Sequence, residues 1–375
     1  MNIQTLHKVP FFNYPTVFSS WEGEVLNIVK NVGERGAFIL QKDLTDFESH
    51  LAAFLCADHA LGVGNATDGL HFAIRAAGIG RGDEVILSSH TMIATAAAVH
   101  FSEATPVPVE CGPDHLIDPA AVEAAITSRT RAIMPTQLNG RTCNMDALQA
   151  IVAKHGLLII EDAAQALGSR FKGKCAGTFG IASAISFYPA KVLGCLGDGG
   201  AVITSDDAIF ERVYQMRDHG RSTSGEIVSW GLNSRLDNLQ AAILDAQLAR
   251  YETVMTRRRE LAALYTERLH DIQEVGLPPA PDSDANHFDI YQNYEIEAEK
   301  RDELKEYLKE HGVGTLIQWG GQAVHQLKAL GFTQNLPYTD QLFGRMLMLP
   351  MNMSLEDDDV SYVCDVIRTF YGHQK

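Results

Sequence analysis

Short apolar runs alternate with amphipathic stretches along the first half of the chain. Apolar runs with the length of buried β-strands occur at Glu84–Ser88, Pro106–Glu110, Arg131–Pro135, Leu157–Glu161, Ser183–Phe187 and Ala201–Thr204. Several are apolar at consecutive positions, which is typical of strands covered on both faces. Helical stretches lie between them, at Gly69–Ala77, Met92–Phe101, Pro119–Ile126 and Met145–His155. This alternation predicts an α/β fold with a largely parallel sheet between helices.

The pattern changes in the last third of the chain. Residues 236–269 lack Gly and Pro, which predicts one or two long helices leading out of the first unit. A loop rich in Pro and Asp follows at residues 276–286, and after it come a strand candidate at Phe288–Ile296 and a helix at Arg301–His311. This mixture predicts a second, smaller unit of α+β type.

A last helix is predicted to begin near Ser354, where Asp357 completes a capping box three residues on. The acidic residues 356–359 then occupy the first turn, where the helix dipole favours negative charge, so this run does not indicate a metal site. We therefore predict a large domain over residues 1–249 and a C-terminal domain over residues 250–375.

The charge of the chain excludes one class of partner. Its 375 residues include 31 Lys and Arg against 47 Asp and Glu, which gives a formal net charge of −16. Nucleic-acid backbones are bound by clustered positive charge, so we expect no nucleic-acid partner. With 46% hydrophobic and 21% charged residues, the composition is that of an ordinary globular protein.

Neither a membrane span nor a secretory leader is predicted. Residues 85–102 form an uncharged stretch of 18 residues, but its Ser, Thr and His side chains are too polar for hydrocarbon. The first residues show no basic segment followed by an apolar one. Six cysteines are scattered without a CxxC pair or a His at ligand spacing, which predicts reduced thiols and no metal site. We therefore expect a cytoplasmic protein.

The segment SFYPAKVLGCLGDGG, residues 186–200, places a single lysine, Lys191, in a glycine-rich loop directly after a buried strand. Burial disfavours the ammonium form of a lysine, and a neutral amine in a pocket can form a Schiff base with a carbonyl. A lone loop lysine is more often exposed to solvent, so Lys191 indicates chemistry only together with suitable neighbours.

Asp162 stands at the carboxyl end of the predicted strand Leu157–Glu161, one strand before Lys191. In open α/β sheets, ligands bind at the carboxyl ends of the strands. A carboxylate and a lysine at this edge match the needs of pyridoxal phosphate (PLP), because the carboxylate keeps the pyridine nitrogen protonated and the ring can then act as an electron sink. A helix-capping role is the competing interpretation of Asp162.

A phosphate site is predicted in the segment GVGNATDGL, residues 62–70. Ala66 and Thr67 lie at the mouth of an amphipathic helix, where backbone N–H groups and a hydroxyl can bind an anion. Ser186, five residues before Lys191, can supply a second hydroxyl. Taken alone, such a turn is equally typical of a plain helix N-cap.

Four segments occur in an order and spacing known from one family: GNATDGL (64–70), EDAAQALG (161–168), SFYPAKVLGCLGDGG (186–200) and GLNSRLDNLQAA (231–242). Together they resemble the DegT/DnrJ/StrS family of PLP-dependent sugar-nucleotide aminotransferases, and the resemblance runs from about Gly36 to the C-terminal helix. It implies the fold of aspartate aminotransferase, PLP fold type I. This fold has a large domain with a mostly parallel seven-stranded sheet between helices, and a smaller C-terminal α+β domain.

The resemblance implies a role for each matching residue. Lys191 bonds to the cofactor and later moves the proton between substrate and cofactor, Asp162 pairs with the pyridinium nitrogen, and Gln165 contacts the ring hydroxyl. The residues implied for the cofactor phosphate are Ala66, Thr67 and Ser186. Asn233, in GLNSR, reaches the phosphate in the neighbouring subunit, which implies a homodimer with shared active sites.

Three positions refine these expectations. Relatives that dehydrate sugars carry His at the position of Lys191, so the lysine implies a transaminase. Met92 occupies a position where relatives usually place an aromatic ring against the cofactor, and a thioether can pack against a ring instead. The family's HLYG is QLNG here, residues 137–140, which moves any His-based substrate contact elsewhere.

The resemblance places the sugar pocket near Tyr291 and the segment LIQWGGQAVHQ, residues 316–326. Trp319 and His325 are the candidates for substrate contact within that segment. Core packing is an equally good interpretation of Trp319 and Tyr291, and His325 can be a satisfied structural histidine.

The implied function is PLP-dependent transfer of an amino group from L-glutamate to a keto group of a nucleotide-linked deoxy sugar. The IQWGG segment favours a 3-keto-6-deoxyhexose, and a 4-keto-sugar aminotransferase of the same family is the alternative. A PLP lyase or desulfurase and a non-catalytic PLP-binding protein are further hypotheses. Cys195, close to Lys191 in sequence, lies among the loop glycines and is interpreted as structural.

Overall fold

The computed structural model describes residues 7–373 of the chain. The α-helices in this range are α1 (Tyr14–Ser19), α2 (Glu22–Arg35), α3 (Lys42–Leu55), α4 (Ala66–Ala76), α5 (Ile93–Phe101), α6 (Pro119–Ala125), α7 (Met145–His155), α8 (Asp207–Arg217), α9 (Asn238–Leu248), α10 (Tyr251–Leu269), α11 (Arg301–Glu310), α12 (Pro337–Arg345) and α13 (Asp357–Phe370). None of these described helices is long and apolar enough to cross a membrane.

The β-strands in the same range are β1 (His59–Val63), β2 (Glu84–Ser88), β3 (Thr105–Val109), β4 (Thr130–Met134), β5 (Leu158–Asp162), β6 (Arg170–Phe171), β7 (Lys174–Cys175), β8 (Ala182–Ser186), β9 (Gly200–Thr204), β10 (Val275–Gly276), β11 (His287–Phe288), β12 (Tyr294–Ala298) and β13 (Met346–Leu349). Seven of them form the central sheet in the order β1-β9-β8-β5-β4-β2-β3. Strand β9 is antiparallel to both of its neighbours, and the other six run in one direction. The predicted α/β fold with a mostly parallel seven-stranded sheet is confirmed.

Helices cover both faces of this sheet. On β2, Val85 and Leu87 belong to the hydrophobic core that α4 and α5 complete, whereas Ile86 belongs to the core that α6 and α7 complete. Successive side chains of a strand point to opposite faces, so a strand buried on both sides is apolar at every position. This packing explains why the central strands were visible as continuous apolar runs.

The sequence prediction was wrong for two elements near the start of the sheet, a strand that it missed and a helix whose start it misplaced. Strand β1 was not predicted, because its sequence HALGV is short and contains Gly62, where an added Cβ would lie 2.7 Å from Leu44 on the closely packed α3. Helix α4 begins at Ala66, three residues before the predicted start at Gly69. The reason is Asn65, whose Oδ1 accepts the N–H of Asp68 and caps the helix.

Two further predictions in the C-terminal part need correction. The predicted strand Phe288–Ile296 is divided into β11 and β12, because the chain turns at Tyr291, which has a positive φ of 50°. The last helix has Glu356 as its N-cap, with the capping box formed by Asp359, rather than a box that begins at Ser354. Ser354 instead donates its hydroxyl to Asn352 in the preceding turn.

A second hydrophobic core lies in the C-terminal part, where α10, α11 and α13 pack against the antiparallel strands β10, β12 and β13. Helix α10 contributes to two cores. Tyr265 belongs to the C-terminal core, and Tyr251 belongs to a core that packs on the large sheet. Val9 also packs in the C-terminal core and pairs with Val313. The division of the chain at residues 249 and 250 stays a prediction.

Arg258, on α10, is a buried cation that organises the backbone beside the sheet edge. Its Nε donates to the carbonyl of Tyr291 at 2.9 Å, and its Nη2 donates to the carbonyls of Gln292 at 2.7 Å and Met351 at 3.0 Å. Burial lowers the pKa of Arg258 to about 10, so the side chain stays charged at neutral pH. The backbone at residues 291–292 and at Met351 therefore depends on one guanidinium group.

We expect Arg258→Met to lower the free energy of unfolding by about 3 kcal/mol, because three buried carbonyls lose a charged donor. Urea unfolding of the two proteins measures the difference. The control is Arg268→Met on the same helix, where a partly exposed ion pair with Asp365 at 3.6 Å is lost; its expected effect is below about 1 kcal/mol. Equal effects of the two substitutions would contradict the role assigned to Arg258.

Candidate active site

The carboxyl ends of the parallel strands bring predicted site residues to one cavity. Asp162 ends β5, Ser186 ends β8, and Lys191 lies in the loop between β8 and β9. All three line a cavity of about 450 Å³. The same cavity is lined by the further predicted residues Ala66, Thr67, Met92, Gln165 and Trp319.

Lys191 is half-buried in the wall of this cavity, and its charge is only weakly favoured there. Desolvation lowers the pKa of Lys191 to about 8, while the carboxylate of Asp162 acts in the opposite direction. A substantial fraction of the amine is therefore neutral near physiological pH. A neutral amine is the form that attacks a carbonyl.

Gln292 holds the backbone on both sides of Lys191. Its Nε2 donates to the carbonyl of Ala190 at 2.9 Å, and its Oε1 accepts the N–H of Val192, also at 2.9 Å. The carbonyl of Gln292 is bound in turn by Arg258. The sequence analysis missed this residue, although two adjacent polar residues inside the run FDIYQNYEI were a signal that this segment faces a polar site.

The carboxylate of Asp162 is fixed from two sides. Thr95 donates its hydroxyl to Oδ2 at 2.6 Å, and the N–H of Ala164 donates to Oδ1 at 3.1 Å. Burial raises the pKa of Asp162, and these two hydrogen bonds act against the rise. The helix-capping interpretation of Asp162 is wrong, because the element that follows it is the strand β6, not a helix.

The start of α4 offers hydrogen-bond donors to an anion. The N–H groups of Ala66 and Thr67 donate to no partner within residues 7–373, since the side chain of Asn65 accepts the N–H of Asp68 instead. An added Cβ at Gly200 would lie 2.7 Å from the nitrogen of Ala66, so only glycine lets β9 pass this close to the helix. Free N–H groups at a helix N-terminus form an anion site.

His325 does not reach the cavity. It is 2% exposed, with Nδ1 2.6 Å from the hydroxyl of Ser89 and Nε2 3.0 Å from a carboxylate oxygen of Asp340. A Ser-His-Asp set can activate a nucleophile. Ser89, however, is 0% exposed and also accepts the backbone N–H of His325, so no substrate can approach it. The structural interpretation of His325 therefore fits this geometry.

Tyr291 and Asn233 also lie outside the cavity that contains Lys191. Tyr291 is 3% exposed, donates its hydroxyl to the carbonyl of Pro279 at 2.8 Å, and faces a neighbouring cavity of about 400 Å³. This geometry fits the core-packing interpretation of Tyr291. Asn233 is exposed and borders the loop 219–232, away from the cavity of its own chain.

Gln318 and Trp319 form one wall of the cavity. The carboxamide oxygen of Gln318 and the indole N–H of Trp319 are buried and have no partner in the described part of the chain, whereas Nε2 of Gln318 donates to Asn139. An unpaired acceptor beside an unpaired donor is the arrangement that a ligand hydroxyl can satisfy. The sequence analysis selected Trp319 from the IQWGG segment and missed Gln318, which stands directly before it.

We expect Lys191 in the ligand-free protein to react with an amine-selective acylating reagent with a half-maximal rate near pH 8, following its lowered pKa. Asp162→Asn removes the opposite charge and should move this midpoint to lower pH. Mass spectrometry of the Lys191 peptide measures the rate, with the exposed Lys30 as reference for the reagent. A midpoint above pH 10 in the unchanged protein would contradict the buried setting of Lys191.

Comparisons with known proteins match the whole of this architecture. A model of the DegT/DnrJ/EryC1/StrS aminotransferase family matches residues 20–368. A Streptomyces venezuelae protein named dTDP-3-amino-3,4,6-trideoxy-alpha-D-glucose transaminase is 40% identical over 367 residues, which cover 96% of each chain. A Geobacillus stearothermophilus protein named pleiotropic regulatory protein is 38% identical over 370 residues, 97% of this chain and 99% of that one.

A solved structure shows the same fold. The crystal structure of S. venezuelae DesV in complex with a ketimine intermediate matches with a TM-score of 0.93 at 38% identity, covering 98% of this chain and 100% of that one. Aminotransferases of this family depend on PLP, and the cavity has the groups that PLP needs: an amine, a carboxylate and an anion site. The chain belongs to the DegT/DnrJ/EryC1/StrS aminotransferase family.

Proposed function

We propose that this aminotransferase moves an amino group from L-glutamate to the C3 keto group of a nucleotide-linked deoxy sugar. The observation that carries the proposal is one cavity that unites Lys191, with its lowered pKa, Asp162 and the free N–H groups at the start of α4. The name of the S. venezuelae relative specifies a 3-amino sugar, which favours C3 over the alternative C4.

Each group of the cavity has a part in holding the cofactor. Asp162 would pair with the pyridine nitrogen, Gln165 would contact the ring hydroxyl, and Met92 would pack against the ring. The residues proposed for the phosphate are Ala66, Thr67 and Ser186. Gln165 has its Oε1 bound by the N–H of Asn139 at 2.8 Å, so its NH2 group is the part that remains for a ligand. When bound, PLP supplies the electron sink of the reaction.

Lys191 would bond to the cofactor and, once released, move the proton at the substrate carbon. An amine with a pKa of about 8 can accept and return a proton near neutral pH. The two hydrogen bonds of Gln292 fix the backbone on both sides of Lys191, which limits the positions that its amine can take in the cavity. We propose that Gln318 and Trp319 bind hydroxyl groups of the acceptor sugar.

Other PLP chemistries are less well supported by this site. A desulfurase needs a reactive thiolate, but Cys195 is 2% exposed, and burial raises its pKa. It lines a neighbouring cavity and not the one that Lys191 shares with Asp162. A regulatory protein without catalysis is the second candidate, favoured by the name of the G. stearothermophilus relative. A non-catalytic scaffold has no need of a lysine with a lowered pKa opposite Asp162, so this pair of residues supports the hypothesis of an enzyme.

We further propose a homodimer with shared active sites in the cytoplasm. Among the described residues that line the cavity, Lys191 is the only cation, whereas glutamate and a nucleotide sugar are both anions. A second copy can complete the site with Asn233, which lies next to an exposed apolar loop. The apolar side chains of this loop are Ile227, Val228, Trp230 and Leu232, with Trp230 97% exposed. All six cysteines are free thiols, which fits a reducing compartment.

The proposed reaction predicts a spectral change. The PLP-loaded protein should lose its visible absorption band when L-glutamate is added, with 2-oxoglutarate released, and a nucleotide-linked 3-keto sugar should restore the band. Lys191→Ala should lack the response, whereas Lys30→Ala, at an exposed lysine, should keep it. A loaded protein indifferent to glutamate would refute the donor, and restoration by a 4-keto sugar alone would refute C3.

The proposed dimer predicts that Trp230→Asp yields a monomer, because a charge in an apolar interface loses its water without gaining a partner. Analytical ultracentrifugation measures the mass. The control is Phe101→Asp, since Phe101 is 68% exposed but ends α5 at the opposite edge of the sheet from the cavity. If Trp230→Asp keeps the mass of a dimer, the loop is not the interface.

A further inference from the structure

Three threonine hydroxyls form a chain that ends on Asp162. Thr95 Oγ1 lies 2.6 Å from Asp162 Oδ2, Thr91 Oγ1 lies 2.7 Å from Thr95 Oγ1, and Thr136 Oγ1 lies 2.8 Å from Thr91 Oγ1. The four side chains are between 0% and 4% exposed. They come from three places in the fold: the start of α5, the end of β4 and the end of β5.

The direction of the chain is set by the number of protons. A hydroxyl has one hydrogen to donate, and an ionised carboxylate can only accept. Thr95 gives its hydrogen to Asp162, so the bond between Thr91 and Thr95 must use the hydrogen of Thr91. By the same count, Thr136 donates to Thr91. All three O–H dipoles therefore point toward the carboxylate and reinforce one another.

We propose that Thr95, supported by Thr91 and Thr136, is a positioning residue that keeps the carboxylate of Asp162 ionised and aimed into the cavity. The inference rests on the proposed function, in which an ionised carboxylate is needed opposite the pyridine nitrogen of the cofactor. Thr95 would act through Asp162 and would touch neither substrate nor cofactor.

The charges around Asp162 make this role necessary. Burial raises the pKa of Asp162, and the titratable group that faces it is Lys191, across the cavity. Helix α5 presents the hydroxyl group of Thr95 to it rather than a charge. Because Lys191 is itself only partly charged near pH 8, the contributions that favour the ionised form at every pH are the hydroxyl chain and the N–H of Ala164.

The first test uses the protein without cofactor. Thr95→Val keeps the shape of the side chain and removes the donor, and Thr95→Ser restores the donor. The control is Thr142→Val, since the hydroxyl of Thr142 is buried and has no partner in residues 7–373. The melting temperature of each variant is compared with that of the unchanged protein between about pH 4 and pH 7, where Lys191 stays mostly protonated.

The sign of the expected change follows from linkage. A carboxyl whose pKa is raised on folding lowers stability as pH rises from its unfolded pKa, about 3.9, through its folded pKa. Without Thr95 as donor, the folded pKa of Asp162 rises further. The melting temperature of Thr95→Val should therefore fall increasingly below that of the unchanged protein as pH rises. The deficits of Thr95→Ser and Thr142→Val should not depend on pH, and a pH-independent deficit in Thr95→Val would overturn the proposal.

The second test uses PLP. Titration of ligand-free protein should show PLP affinity about tenfold weaker in Thr95→Val, the effect of losing one hydrogen bond to a charged group, with recovery in Thr95→Ser. The absorption band of the loaded variant should also titrate at a different pH from that of the unchanged protein. Identical affinity and titration in the two proteins would overturn the proposal.

The two tests separate the inference from the proposed function. If the unchanged protein binds no PLP, the proposed function fails, and the melting temperatures still decide whether Thr95 controls the charge of Asp162. If Thr95→Val does not fold, Thr91→Val takes its place, because it removes the next hydroxyl and leaves Thr95 in contact with Asp162. Its melting temperature should show the same pH dependence to a smaller extent. A deficit in melting temperature that does not depend on pH would contradict the role of the hydroxyl chain.

Discussion

Desolvation of two opposite charges at the carboxyl edge of the sheet is the constraint on which the site depends. Burial makes Lys191 easier to deprotonate and Asp162 easier to protonate, so the charge of each group depends on the neighbours that the fold places around it. Parallel strands place both groups at one edge, since β5 and β8 are neighbours that run in the same direction. The chemistry of the cavity thus follows from the topology of the sheet.

The C-terminal part of the chain is necessary for this arrangement. Lys191 belongs to a loop of the large sheet, yet the hydrogen bonds that fix the loop come from Gln292, whose own backbone is held by Arg258 on α10. Wall residues Gln318 and Trp319 also come from this part. The cavity is therefore a product of packing between the two cores, and a change far along the chain can move the lysine.

The sequence predicts the elements whose signals are local. Continuous apolar runs located the central strands, and the strand ends located Asp162 and Lys191. Strand β1 was missed because close packing against α3 requires small residues there, which weakens its apolar pattern. His325 and Tyr291 were selected from segments near the cavity, but side-chain direction depends on tertiary packing, and both point elsewhere. Gln292 and Thr95 were missed because their roles exist only through partners distant in sequence.

Neutral donors suit the surroundings of Asp162 better than a cation would. An arginine or a protonated histidine against this carboxylate would stabilise its charge but would also neutralise it, and a positively charged ring nitrogen would then gain little from approaching. Threonine hydroxyls stabilise the ionised form by hydrogen bonding and leave the net charge in place. A buried carboxylate held in this way keeps its charge for a ligand. The choice of three hydroxyls at this edge of the cavity is therefore consistent with a site whose carboxylate must stay ionised until the cofactor enters.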